Sequence, residues 1–326
     1  MSKIEWCDLT INPIVGCSKC SPGCDNCYAE RFAARMARHP KPTIRDKYAG
    51  VVDEHGKWTG CLGGFHADVF DRLQTIKRSS RVFVCSMGDV FHTNVYSGWL
   101  AALFEQFKKY PQHTFILLTK RPAAAKGWFN DYLSPEKFSN VWLGVTVCNQ
   151  QEADEKIPVL LQVSVAKRFV SVEPMLGPVD FTDLDLSRWL NSTAQKNALT
   201  GEAYFPGHCG ESSRTIRGSK LDWVICGGET GSGSRPVHPD WVRSLRDQCV
   251  DASVPFFFKS WGDWLPFFRQ PDGSYKIVSF DDTIPDNFSV LHRMSFPGDL
   301  DVLMCKVGKR HSGRGLDKTI WGQVPA

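Results

Sequence analysis

Residues 141–147 read VWLGVTV, an almost unbroken apolar run. A strand with one wet face alternates apolar and polar residues. A run that is apolar throughout suits a strand covered on both faces, as in a parallel sheet flanked by helices. Working outward, the same signature recurs at Thr114–Thr119 (TFILLT), Val82–Ser86 (VFVCS), Arg168–Val172 (RFVSV), Trp223–Cys226 (WVIC) and Val254–Lys259 (VPFFFK), with an earlier strand expected around Thr10–Val15. Helical spacing fills the intervals. Ser97–Tyr110 aligns Leu100, Leu103, Phe104 and Phe107. Pro239–Val250 opens on proline and is expected to bury Trp241, Leu245 and Cys249. Tyr28–His39 puts Tyr28, Phe32 and Met36 on one stripe and Arg31, Arg35 and Arg38 on another. Seven strands joined by crossovers predict an α/β fold, a full or partial parallel (β/α) barrel in preference to an open doubly wound sheet.

Two regions depart from this rhythm. Asp185–Lys220 is polar and rich in Ser, Thr and Gly, and is expected to be an inserted loop region. After Trp264 the chain turns irregular and ends in a basic stretch, Lys306–Arg314. The expected organisation is a barrel-like domain over 1–265, with the cysteine loop at 17–27 and the insertion at 185–220. An irregular extension, 266–326, packs on it.

Composition narrows the function classes. With 42% hydrophobic and 23% charged residues the chain reads as an ordinary globular protein. Its 39 Lys+Arg against 35 Asp+Glu make no strong field, so net charge neither supports nor excludes a nucleic-acid or nucleotide partner. The charged N-terminus lacks a signal core, and no apolar run approaches the roughly 18 residues of a membrane span. A cytoplasmic protein without a membrane partner is the expectation, and its 12 cysteines then read as thiols or ligands, not disulfides. Oligomeric state is left open.

Four cysteines fall in residues 16–30, GCSKCSPGCDNCYAE: Cys17, Cys20, Cys24 and Cys27. Pro22 and Gly23 let the loop fold back on itself. Thiolates are soft ligands for zinc or an iron–sulfur cluster. Cys20, Cys24 and Cys27 give C-x3-C-x2-C, the spacing associated with radical S-adenosylmethionine (SAM) enzymes, whereas Cys17, Cys24 and Cys27 give C-x6-C-x2-C. Three thiolates on a [4Fe-4S] cluster leave one iron open for catalysis; four close it. Polar residues recur just past the strands: Asp89 and His92, Lys120 and Arg121, Thr146 and Asn149, Glu173, then Gly227, Gly228 and Glu229. In a parallel barrel such ends form the active-site face. His92 and His238 read as surface or capping residues.

The segments IEWCDLTINPIVGCSKCSPGCDNCYAERFA, FVCSMGDVFH, HTFILLTKRP, VWLGVTVCNQ, FVSVEPMLGPVD, DWVICGGETGSGSRPVHPDWVRSLRDQC and VPFFFKSWGDW resemble the phage Gp37/Gp68-type proteins, whose cysteine motif is similar to that of radical SAM enzymes. The resemblance implies a barrel-like, radical SAM-like fold with a cluster on Cys17, Cys24 and Cys27, and makes Cys20 an addition. The expected activity is a radical SAM-like reaction on a nucleic acid or nucleotide, fed by a reductant protein. In it Asp89 or Glu229 would hold the SAM amine, and Thr146 and Asn149 the ribose. Gly227 and Gly228 would clear the approach to the cofactor, and Lys120, Arg121 and Glu173 would face substrate. Two rivals stand beside it: a zinc-binding, non-catalytic module using all four cysteines, and a hydrolase or nuclease using the strand-end carboxylates around a structural cluster.

Overall fold

The computed structural model describes residues 4–132, 139–189, 193–207, 212–273, 275–277, 293–296 and 299–326. Seven strands form the main sheet: β1 Leu9–Ile11, β2 Arg81–Val84, β3 Thr114–Thr119, β4 Val141–Thr146, β5 Lys167–Val172 and, after an insertion carrying β6 Leu184–Asp185, β7 Gln195–Lys196, β8 Glu202–Phe205 and β9 Arg214–Arg217, the strands β10 Trp223–Cys226 and β11 Phe256–Phe258. Their order is β1-β2-β3-β4-β5-β10-β11. The pairs β1·β2, β2·β3, β3·β4 and β10·β11 are parallel. The sheet order has two free ends, so the partial form of the expected barrel is the one adopted. The helices are α1 Tyr28–Met36, the one-turn α2 Pro42–Arg45 and α3 Asp71–Gln74, α4 Ser97–Lys109, α5 Pro122–Tyr132, α6 Gln150–Leu160, α7 Pro239–Asp251 and the one-turn α8 Lys309–Ser312. Among the described residues no helix is long and apolar enough to cross a membrane.

The chain divides into two compact units, Met1–Thr146 with Pro158–Phe169, and Val147–Ile157 with Val170–Ala326. In the first, every residue of β4 is buried, as its apolar run requires. α4 buries Leu100, Leu103, Phe104 and Phe107, the four residues its spacing singled out. Phe107 stacks on Phe115 of β3 at 4.1 Å between centroids, and Phe104 meets Phe129 of α5 edge-on at 5.5 Å. α1 differs from expectation. It buries Ala29, Glu30 and Ala33, while Tyr28 and Phe32 stand 51% and 39% exposed. Small residues let the helix sit close to the core formed by Val15, Tyr48, Val51 and Met87, and the large aromatics take the outer side.

In the second unit the insertion, expected as a loop, holds the four-stranded antiparallel sheet β6-β7-β8-β9; residues 190–192 and 208–211 lie outside the described set. The extension, expected as irregular, forms a second antiparallel sheet, β13 Tyr275–Ile277, β12 Trp264–Arg269, β15 Asp299–Lys306 and β14 Arg293–Phe296 in spatial order. α7 buries Val242, Leu245 and Cys249, and Trp241 is only half-buried. His238 caps α7 by accepting from Asp240 N at 3.1 Å. The last residues cover the outer edge of β11: Phe258 N donates to Trp321 O and Gln323 N to Phe256 O. That leaves the edge without a row of open backbone groups. The hairpin of β16 Gly315–Leu316 and β17 Thr319–Ile320 turns through Asp317 and Lys318, both at positive φ (51° and 61°), the turn geometry whose twist matches antiparallel strands. Asp317 ties the hairpin to α7 by accepting from Arg243 and Arg246.

This packing can be tested at two positions. A Cβ built on Gly144 would lie 2.3–2.5 Å from the ring of buried Phe169. Gly144→Ala is therefore expected to destabilise by about 1–3 kcal/mol in urea unfolding, and Gly144→Ala with Phe169→Leu to recover part of that loss. For Asp317, partial burial raises the carboxyl pKa, but the hydrogen bonds and charges of Arg243 and Arg246 outweigh it, and the net shift is downward. A carboxylate depressed in the fold contributes stability above its unfolded pKa of about 3.9 and loses it as pH falls through the folded value. Asp317→Asn should lower the urea midpoint at pH 7, with the gap to wild type closing toward pH 3.

Candidate functional site

The cysteine loop leaves β1 pressed against the segment just past β2. Asn12 Oδ1 accepts from Ser86 Oγ at 3.1 Å and Met87 N at 3.0 Å, and Gly16 N donates to Met87 O at 3.0 Å. Gly16 sits at φ 104°, and a Cβ there would lie 2.3 Å from Cys61 O. Only glycine allows that approach. Beyond it Ser21 caps a short 3-10 turn, Pro22–Cys24, and Cys27 enters α1.

Arg121 holds this loop from the end of β3. Its Nη2 donates to Ser18 O at 3.0 Å and Ser18 Oγ at 2.9 Å, and its Nη1 lies 3.9 Å from Cys17 Sγ. Nη1 also donates to Asp89 Oδ2 at 3.0 Å. Asp89, 5% exposed, accepts three further hydrogen bonds, from Thr119 Oγ1 at 2.7 Å, Phe91 N at 3.0 Å and Lys120 N at 3.1 Å. His92 Nε2 meets Ser18 Oγ at 2.8 Å while its Nδ1 accepts from Asn94 N at 3.1 Å, so this histidine caps a turn, as expected, but is buried and belongs to the same network. Asp89 and Arg121, expected to face SAM and substrate, are committed to each other and to the loop. Ser18 and Asn12 were not legible as site residues, because their partners lie far away in sequence; Thr119 belongs to the expected strand-end group with Lys120 and Arg121.

The sulfurs differ in their chemistry. Hydrogen bonding with Cys20 and the charge of Lys120 outweigh burial and lower the Cys24 thiol from its ordinary value. The same bonding and partial burial push Cys20 up. Burial, then the charge of Asp89, pushes Cys17 up to about 11 against the pull of Arg121. Arg121 in turn feels both Cys17 and Cys20. Soft donors with Lys120 and Arg121 nearby fit a soft metal or an iron–sulfur cluster, whose negative charge those two cations would balance. Among the described residues no three His, Cys, Asp or Glu side chains are gathered in ligating geometry. The four thiols are neighbours on one loop, and Cys20 and Cys24 influence each other's ionisation.

Thr146 is buried at the end of β4. The other expected site residues lie in the second unit. Asn149 caps α6, its Oδ1 accepting from Glu152 N at 3.0 Å. Glu173 pairs with Lys259, and a Cβ on Gly227 would sit 3.4–3.6 Å from those two side chains. Gly228 has a different cause from the one expected: a Cβ there would lie 2.1 Å from Trp261 O, so its role is close backbone packing. Glu229 is 6% exposed and accepts from Arg235 N at 2.8 Å, Nε at 3.0 Å and Nη2 at 2.7 Å.

Removing one member of the Arg121–Asp89 pair, whose side chains are 13% and 7% exposed, strands a buried charge, a change that typically costs about 3–5 kcal/mol. Arg121→Gln is expected to lose stability on that scale in chemical unfolding. The double variant Arg121→Gln, Asp89→Asn should recover a large part of it.

A solved structure of spore photoproduct lyase complexed with dinucleoside spore photoproduct is similar to this chain at 10% identity, covering 76% of this chain and 74% of that one, with a TM-score of 0.36. No curated protein matches the chain. The family match is to an uncharacterised family and does not carry the Gp37/Gp68-type designation that the sequence segments resemble. Over residues 1–325 the chain matches the family described as protein of unknown function (DUF5131), and it belongs to that family.

Proposed function

We propose that this chain is an iron–sulfur enzyme of the radical SAM-like class. The observation that carries the reading is the loop after β1: four cysteines within eleven residues, with Lys120 lowering the Cys24 thiol and Arg121 anchoring the loop through Ser18. In the proposal Cys17, Cys24 and Cys27 are the ligands. Cys20 tunes Cys24 through its hydrogen bond, and Arg121 with Asp89 positions the loop. A cluster held there with one open iron would supply, from a reductant protein, the electron that breaks the C5′–S bond of SAM to give methionine and a 5′-deoxyadenosyl radical. Asp89 and Glu229 have their acceptors taken by arginines and backbone N–H groups, so the proposal gives the SAM amine to the cluster rather than to either carboxylate.

One observation favours a second reading. Cys20 and Cys24 influence each other's ionisation, which brings the fourth cysteine into the set, as a closed four-thiolate zinc site requires. The hydrolase reading needs an available carboxylate, and Asp89, Glu173 and Glu229 are each ion-paired.

Metal analysis separates the two. Protein purified without oxygen should contain iron and acid-labile sulfide. Both should be lost in Cys17→Ser, Cys24→Ser and Cys27→Ser and kept in Cys20→Ser. With SAM and dithionite it should release 5′-deoxyadenosine. Stoichiometric zinc that disappears in Cys20→Ser would replace this reading with the four-thiolate one.

A further inference from the structure

α1 begins directly after Cys27 and turns a basic, aromatic side to solvent. Arg31, Phe32, Arg35 and Arg38 are exposed, and the Arg35 guanidinium lies over the Phe32 ring at 4.6 Å. Tyr28 is one turn before Phe32, with its hydroxyl donating to Ser86 O at 2.8 Å and its ring 51% exposed. A cleft of about 670 Å³ opens beside the helix, lined by Arg31, Arg35, Arg38, His39 and Pro40 among others.

Charge is concentrated here. Residues 28–48 hold six Lys and Arg against two acidic residues, a net +4 that equals the formal charge of the whole chain. Of the two acids, Glu30 is buried, with Lys19 and Lys57 beside it, and Asp46 pairs with Arg45. The near-neutral total therefore conceals local basic stretches, this one and Lys306–Arg314 among them, a distribution that the whole-chain balance cannot show.

We propose that this face of α1, with its cleft, binds a single-stranded nucleic acid. The inference deepens the proposed function by naming a substrate class, and rests on that reading only for the chemistry after binding. Arg31 and Arg35 stand about one turn apart on α1, roughly 6 Å along its axis, and Arg38 follows just past its end with Nη2 donating to Glu54 O at 2.9 Å; guanidinium forks of this kind are suited to phosphates. Phe32 and Tyr28 offer rings on which unpaired bases stack, as duplex bases cannot. The opposite side of α1 is buried through Ala29 and Ala33, so the helix has no free apolar face to sink into a lipid surface. A strand lying along α1 is led by the chain itself to Cys27.

The test is fluorescence anisotropy of the full chain with a fluorescein-labelled single-stranded oligo-dT, beside the same length as duplex and vesicles of anionic lipid. Binding to the single strand at low salt should weaken as salt rises. Arg31→Glu with Arg35→Glu should weaken it tenfold or more and Phe32→Ala about fivefold or more, while Arg31→Lys with Arg35→Lys retains most of it. Absence of binding, binding indifferent to these variants, or a preference for duplex or vesicles overturns the proposal. Iron content and 5′-deoxyadenosine release are read on the same samples without oligonucleotide. Failure there with binding intact faults the radical SAM-like reading and leaves this one standing.

Discussion

The buried pair of Arg121 and Asp89 is the constraint on which the candidate site depends. Neither charge would be tolerated alone at that depth. Once paired, Asp89 gathers Thr119, Phe91 and Lys120, while Arg121 spends its remaining donors on Ser18. The ends of β2 and β3 are thereby locked to the loop that leaves β1. The glycines reinforce this: Gly16 and Gly88 let the two loops approach to backbone contact, so the cysteines sit on a segment fixed at both its flanks.

Charges at the strand ends set the electrostatics. Burial and the charge of Asp89 raise the Cys17 thiol, whereas Cys20 and Lys120 lower that of Cys24. Thiols with cations nearby are a starting point for soft-metal binding, and the strand ends supply those cations because Lys120 and Arg121 come directly after β3.

Much of the fold was legible. β3, β4, β5 and β10 lie within a residue of their expected bounds, since a strand buried on both faces leaves an uninterrupted apolar trace. The antiparallel sheets β6–β9 and β12–β15 were not. β9 is exposed at every position and β6 and β7 are two residues long, so no periodicity marks them; pairing across distant segments makes them strands. The stripe of α1 misled for a related reason: Tyr28, Phe32 and Met36 keep helical spacing, but it is Ala29 and Ala33 whose small size fits the core. At the site the clustering of the cysteines is plain in their spacing, and their role as ligands belongs to the proposal. Asp89, His92 and Arg121 were read as strand-end residues converging on the face of the cysteine loop; their bonding to one another and to Ser18 was not legible, because these partners lie far apart in sequence.

The central claim is that this loop holds a cluster with one iron open to SAM. Electron paramagnetic resonance of the anaerobic, dithionite-reduced protein tests it most directly. The account predicts a reduced [4Fe-4S] signal whose shape changes when SAM is added. A protein with no iron signal, or a signal indifferent to SAM, contradicts it.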